Sequence, residues 1–141
     1  MTYIFLKKRI KKNEGFSKTP YKDKLGNLTI GYGHLIKKNE EHLKHKQQTH
    51  KNLLGLFEKD FLHAVDGYKK NFLSNNFNKK EEDLLIEMIF QLGIKNVLKF
   101  RIMISNLKNK RKYLTAFEMM NSLWYKQTPK RVEILINNYL E

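Results

Sequence analysis

The sequence predicts an α+β fold that is mostly α, and three observations predict it. Apolar residues recur at helical spacing along most of the chain. One early stretch, residues 16–35, breaks that pattern with Pro20, Gly26, Gly31 and Gly33 set among Tyr, Leu, Thr and Ile. Such punctuation marks short strands joined by turns. A chain of 141 residues, 40% hydrophobic and 12% aromatic, is long and apolar enough for one domain with its own core.

Taken in order, residues 2–13 read as a first helix. Tyr3, Leu6 and Ile10 share one face, lysines occupy the others, and Gly15 stops the helix. Residues 16–52 form a small antiparallel sheet lobe, with Lys24-Leu25-Gly26-Asn27 as a turn between strands. Within it, residues 37–52 are polar. His42 and His45, spaced i, i+3, have no carboxylate or thiol partner in view, so a solvated helix or loop explains them better than a metal site. From 53 to 72 the stripe Leu54, Phe57, Phe61, Val65, Tyr68, Phe72 describes a long helix. At about 1.5 Å per residue it is long enough to connect two lobes. Residues 73–141 form a helical lobe. Asn78 and Glu81 have capping-box spacing ahead of the core helix that ends at Gly93. Further helical patterns cover about 96–108, 112–124 and 129–140, the last with Thr128 as N-cap and Pro129 in the first turn.

Composition excludes several function classes. Without cysteine there is no disulfide framework and no thiolate metal or redox site. No apolar run is long enough for a membrane span. The N-terminal apolar stretch is short and precedes Lys7-Lys8-Arg9, which is not the order of a signal peptide; cytoplasmic synthesis is the expectation. The net charge is +14, from 28 basic and 14 acidic residues. Such a charge attracts polyanions, whether nucleic acid, anionic lipid or cell wall. Only four basic residues are Arg, which fits a diffuse field better than a reader of base edges. No helix-turn-helix signature, zinc ligands or stacking platform supports a nucleic-acid partner. Abundant Lys, Asn and Ile also suggest an AT-rich codon bias as part of the cause.

The chemistry concentrates between residues 13 and 34. Glu14 falls at the C-terminal end of the first helix, where the negative end of the dipole disfavours a second negative charge. Raising a carboxyl pKa in this way keeps a general acid protonated. Asp23 lies at the edge of the glycine turn, more solvated and ionised. Thr29, on the next strand, could hold a water beside it. Two carboxyls in contrasting environments are what glycoside hydrolysis uses.

The residues themselves are more specific than that. Glu14, Asp23 and Thr29, set within "NEG…YKD…TIGYGHL", resemble the catalytic signature of the phage-type lysozymes, glycoside hydrolases of the T-even phage lysozyme kind. Phe90-Gln91-Leu92-Gly93 resembles that family's buried segment facing the cleft, and "WYKQTPKR" at 124–131 resembles its "WYNQTPNR" stretch. The resemblance runs from about residue 3 to 139 in the same order. It implies a two-lobed lysozyme-like fold over 1–141. It also implies a muramidase that cuts the β-1,4 bond between N-acetylmuramic acid and N-acetylglucosamine with inversion and without cofactor or metal. By resemblance, Glu14 is the general acid, Asp23 the base or electrostatic partner, and Thr29 the residue that positions water. Leu35, Phe90 and Gln91 match positions lining the sugar-binding cleft. Arg131 matches a residue that pairs with the catalytic Glu and would oppose the helix-dipole effect on it. His34 and Asp60 match a structural ion pair, and Trp124 is core or cleft wall. Gln91 has a structural alternative, tying Trp124 in place.

Two departures from the family pattern stand out. The stretch from His34 to Asp60 is about a dozen residues shorter than in the T-even phage lysozyme, so the sheet lobe is trimmed and sugar subsites there are affected. The chain also ends before the family's final helical stretch. The implied partner is the glycan strand of peptidoglycan, met by a monomer acting on the cell wall after release; if the setting is a phage endolysin, a holin provides that release. The rival reading is a catalytically inactive peptidoglycan- or partner-binding protein on a lysozyme scaffold.

Overall fold

A computed structural model of the chain describes residues 3–141. The predicted first helix begins at Thr2, which lies outside the described residues; the helix described is α1, Ile4–Glu14. It ends where expected, at Gly15 with φ 74°, whose N–H donates to the Lys11 carbonyl. Glycine reaches this backbone conformation without the steric cost a Cβ imposes.

Three strands follow: β1 (Ser17–Lys22), β2 (Leu28–Gly31) and β3 (His34–Leu35). They pair antiparallel in the order β1-β2-β3, with Tyr21 opposite Thr29 and Ile30 opposite His34. The β1–β2 turn is built by Asp23. Its Oδ1 accepts from the N–H groups of Leu25 and Asn27 at 2.9 and 2.8 Å, the Asx-type bonding that aspartate brings to turns. Gly26 supplies the positive φ, 84°.

The polar stretch contains one short helix, α2 (His42–His45). The long helix α3 spans His50–Phe72 and so starts three residues earlier than the predicted 53. The chain divides into two compact units inside α3, one ending at His63 and one running from Ala64 to Glu141. In the first, α1 packs on α3: Tyr3 meets Phe61 edge-on at 5.5 Å, Lys7 pairs with Glu58 at 2.6 Å, and the Lys11 ammonium lies 5.1 Å from the Phe57 ring centre. A smaller cluster of Ile30, Leu43 and Leu53 joins the sheet, α2 and α3.

The second unit is helical: α4 (Lys79–Leu92), α5 (Ile94–Val97), α6 (Arg101–Lys108), α7 (Lys112–Met120), α8 (Leu123–Gln127) and α9 (Pro129–Leu140). Its core draws on Leu85, Ile86 and Met88 of α4, Met103 and Leu107 of α6, and Val132 of α9. The capping box at Asn78 and Glu81 is present with both bonds made. Thr128 sits at the N-cap position of α9 but does not cap it. Its hydroxyl donates to the Trp124 carbonyl instead, at 3.2 Å. The predicted 96–108 and 112–124 helices are each broken once, at Leu98–Phe100 and at Asn121–Ser122.

Candidate active site

Glu14 is the last residue of α1 and is half-buried. Gly33, between β2 and β3, lies directly against its carboxylate. A Cβ built on Gly33 would overlap the Glu14 carboxyl group, and Gly33 also holds φ at 75°. Two requirements therefore fall on one position, and glycine meets both.

Asp23 and Thr29 are joined through the backbone of Asn27. The Asn27 N–H donates to Asp23 Oδ1, the Asp23 N–H returns to the Asn27 carbonyl at 2.9 Å, and the Thr29 hydroxyl donates to that same carbonyl at 2.9 Å. Thr29 is 2% exposed. Since its O–H is spent on the backbone, its oxygen is left as an acceptor. Asp23 Oδ2 takes no part in the turn bonds. The result is a carboxylate and a hydroxyl acceptor held by one tight hairpin, with little rotamer freedom in either.

Tyr21, opposite Thr29 on β1, senses both acids. Its phenol pKa is raised by burial first, then by the negative charges of Glu14 and Asp23. The sequence reading gave Tyr21 no role. Its signal was its place in the Tyr-Lys-Asp triplet that carries Asp23.

His34 and Asp60 pair as expected, Nδ1 to Oδ2 at 2.8 Å. A second carboxylate, Glu40, takes the other nitrogen: Nε2 lies 2.9 Å from its Oε1. Burial of the ring pulls the His34 pKa down, but the hydrogen bonds and charges of Asp60 and then Glu40 outweigh it, and the net shift is upward. Burial pushes Glu40 up, yet the Lys37 N–H and His34 together hold its pKa below the usual value. His34 is thus clamped between two carboxylates that favour its charged form, a brace within the first unit.

The other site residues lie as follows. Leu35 is exposed on β3. In the second unit, Phe90 and Gln91 are half-buried at the end of α4. Gln91 reaches Trp124 through Thr128: its amide donates to Thr128 Oγ1 at 3.3 Å, and that hydroxyl donates to the Trp124 carbonyl, while Gln91 Oε1 and Trp124 Nε1 are buried without a hydrogen-bond partner. Trp124 is 4% exposed and meets Phe100 edge-on at 5.8 Å, so it is core. Arg131, on α9, places Nε 3.5 Å from Oε2 of Glu87, which is fully buried on α4. Sequence reasoning missed Glu87, because one acid among apolar residues reads as a solvent-facing position. Among the described residues there is no His, Cys, Asp and Glu group fit to hold a metal ion, and no helix is long and apolar enough to cross a membrane.

The family model described as "Phage lysozyme" matches residues 11–138. Two Dictyostelium discoideum proteins are similar over 94% of this chain and 91% of their own lengths. "Probable T4-type lysozyme 2" is 33% identical, and "Probable T4-type lysozyme 1" is 32% identical. The first alignment covers 159 positions, more than the 141 residues of this chain, so that relative carries residues this chain lacks. A match over nearly the whole length, on an α+β fold that is mostly helical, places the chain in the phage lysozyme family of lysozyme-like glycosidases.

Proposed function

We propose that the protein is a muramidase that hydrolyses the β-1,4 bond between N-acetylmuramic acid and N-acetylglucosamine in peptidoglycan, with inversion. The observation that carries the reading is the pairing of two differently built carboxyl sites in one unit. Glu14 ends a helix and stands in space cleared by Gly33. Asp23 is fixed in a hairpin beside the hydroxyl of Thr29.

Glu14 acts as general acid and gives its proton to the leaving glycosidic oxygen. The acceptor oxygen of Thr29 and the carboxylate of Asp23 hold a water, and Asp23 takes its proton as it attacks the anomeric carbon. Asp23 also offsets the positive charge that develops on the sugar ring. Tyr21, opposite Thr29 and in the field of both acids, stays a neutral phenol and can donate a hydrogen bond. By the family resemblance, Leu35 of the first unit and Phe90 and Gln91 of the second are the residues that contact sugar; within the second unit Arg131 pairs with Glu87.

The relatives come from Dictyostelium discoideum, so the family reading brings no phage setting with it. The reaction is tested by digesting purified peptidoglycan and characterising the new ends. Muramidase action leaves N-acetylmuramic acid at each new reducing end, and inversion of a β bond releases the α anomer first, seen by proton NMR before mutarotation. New ends carrying N-acetylglucosamine, or a β anomer first, would refute the assigned bond or the assigned stereochemistry respectively.

A further inference from the structure

Helix α7 is apolar on two opposite faces. Thr115, Ala116 and Met119 are buried against the rest of the second unit. On the other side, Tyr113, Leu114, Phe117 and Met120 are 79%, 51%, 58% and 50% exposed. At 100° per residue these four fall within one arc of the helix, away from the buried three. Leu123, first residue of α8 and three residues on in the chain, is 68% exposed. A helix at a protein surface normally turns charged or polar side chains outward, and contiguous exposed patches of large apolar residues mark binding surfaces.

The charge around this face is as unusual as the face. Residues 94–127 carry eight basic residues against one acidic, Glu118, a net charge of +7. Lys108, Arg111, Lys112 and Lys126 are exposed and flank the apolar series in the chain. Arg111 and Lys112 stand at the N-terminus of α7, which has no acidic residue in its first turn and no side-chain cap. There the helix dipole favours acids over bases. Neither the outward aromatic nor the inverted charge serves the stability of the isolated unit, and both suit one kind of surface.

We propose that the exposed face of α7 and Leu123 dock on an anionic lipid bilayer. Phe117, Tyr113, Met120 and Leu123 enter the headgroup and upper acyl region, and the surrounding Lys and Arg meet lipid phosphates. A second copy of the chain fits less well, since it would bring another +7 segment into a low-dielectric contact. Lysine outnumbers arginine among these bases, as suits a field of point charges better than planar bidentate partners. The role is separate from hydrolysis: it would hold the enzyme at a membrane next to its polymer.

The test is vesicle co-sedimentation of the whole protein at 150 mM salt. One set of vesicles is phosphatidylcholine alone; the other contains 30% phosphatidylglycerol. The expected result is at least tenfold stronger partition onto the anionic vesicles. Tyr113→Ser combined with Phe117→Ser, which leaves the net charge at +14, should lose at least tenfold of that binding. Its circular dichroism and its rate on purified, lipid-free peptidoglycan should stay at the parent values, which keeps this test independent of the muramidase reading. Equal binding by the double variant would mean adsorption through charge alone and overturns the proposal. So would a parent protein that ignores anionic vesicles, or one that is a dimer dispersed by the same two substitutions.

Discussion

Gly33 has no side chain because the Glu14 carboxylate stands where one would go. An alanine there would also adopt φ near 75°, at about 1–2 kcal/mol for an L-residue. Gly33→Ala is expected to lower stability by about that amount and to cut kcat/KM at least tenfold by displacing the general acid. Thermal unfolding and a reducing-end assay measure the two effects separately. Thr29→Val tests the other half of the site. Valine fills the same buried space, and the Asn27 carbonyl keeps the Asp23 N–H, so the fold should hold. Losing the acceptor for water should lower kcat by about a hundredfold, the scale of a positioned proton-transfer group, with KM little changed. The motif made Glu14, Asp23 and Thr29 legible in the sequence. Glu40 and Glu87 were not, because each is defined by a partner distant in sequence: His34 for one, Arg131 for the other.

Among the elements, the His34 clamp links β3, the segment before α2, and α3. His34 has a raised folded pKa, so its contribution is complete below its ordinary value of 6.5 and is lost as pH rises through the folded value. Glu40 has a lowered folded pKa, so its contribution is complete above its ordinary value of 4.5 and is lost as pH falls through the folded value. The clamp is therefore strongest between about 4.5 and 6.5. Denaturant titrations should show stability declining above that window. His34→Asn should remove about 1.5–3 kcal/mol inside it, as expected for hydrogen bonds to charged groups, and flatten the decline. An unchanged pH profile in that variant would show that the clamp does not brace the unit. At the start of α4, Asn78→Ala should cost about 1 kcal/mol through the lost cap, with peptidoglycan hydrolysis retained below the melting temperature. Helix existence was legible from spacing, and so was this capping box. Helix breaks were not: the stops at Leu98–Phe100 and Asn121–Ser122 lie in runs whose apolar spacing continues across them, so packing decides them and periodicity does not.

For the whole molecule, the +14 charge belongs with an anionic polymer substrate and does not require nucleic acid. It acts through long-range attraction that salt screens, with a Debye length of about 10 Å at 0.1 M and about 3 Å at 1 M. Hydrolysis of intact peptidoglycan should slow several-fold between 50 and 500 mM salt, chiefly in kcat/KM, while uncharged oligosaccharides are cut at nearly constant rate. The α+β fold class was legible because an early glycine-punctuated stretch stands apart from helical periodicity elsewhere. The net charge was legible too, but the outward apolar face of α7 was not, since helical spacing alone gives an inward stripe and an outward one the same pattern.

The central claim is that Glu14 delivers the proton that breaks the glycosidic bond. The most direct measurement compares the parent and Glu14→Gln for release of reducing ends from purified peptidoglycan, with both shown to melt at comparable temperatures. The parent should release N-acetylmuramic acid ends and the variant should fall by at least a thousandfold, since glutamine keeps the shape and has no proton to give. A folded variant that cuts at the parent rate would contradict the account.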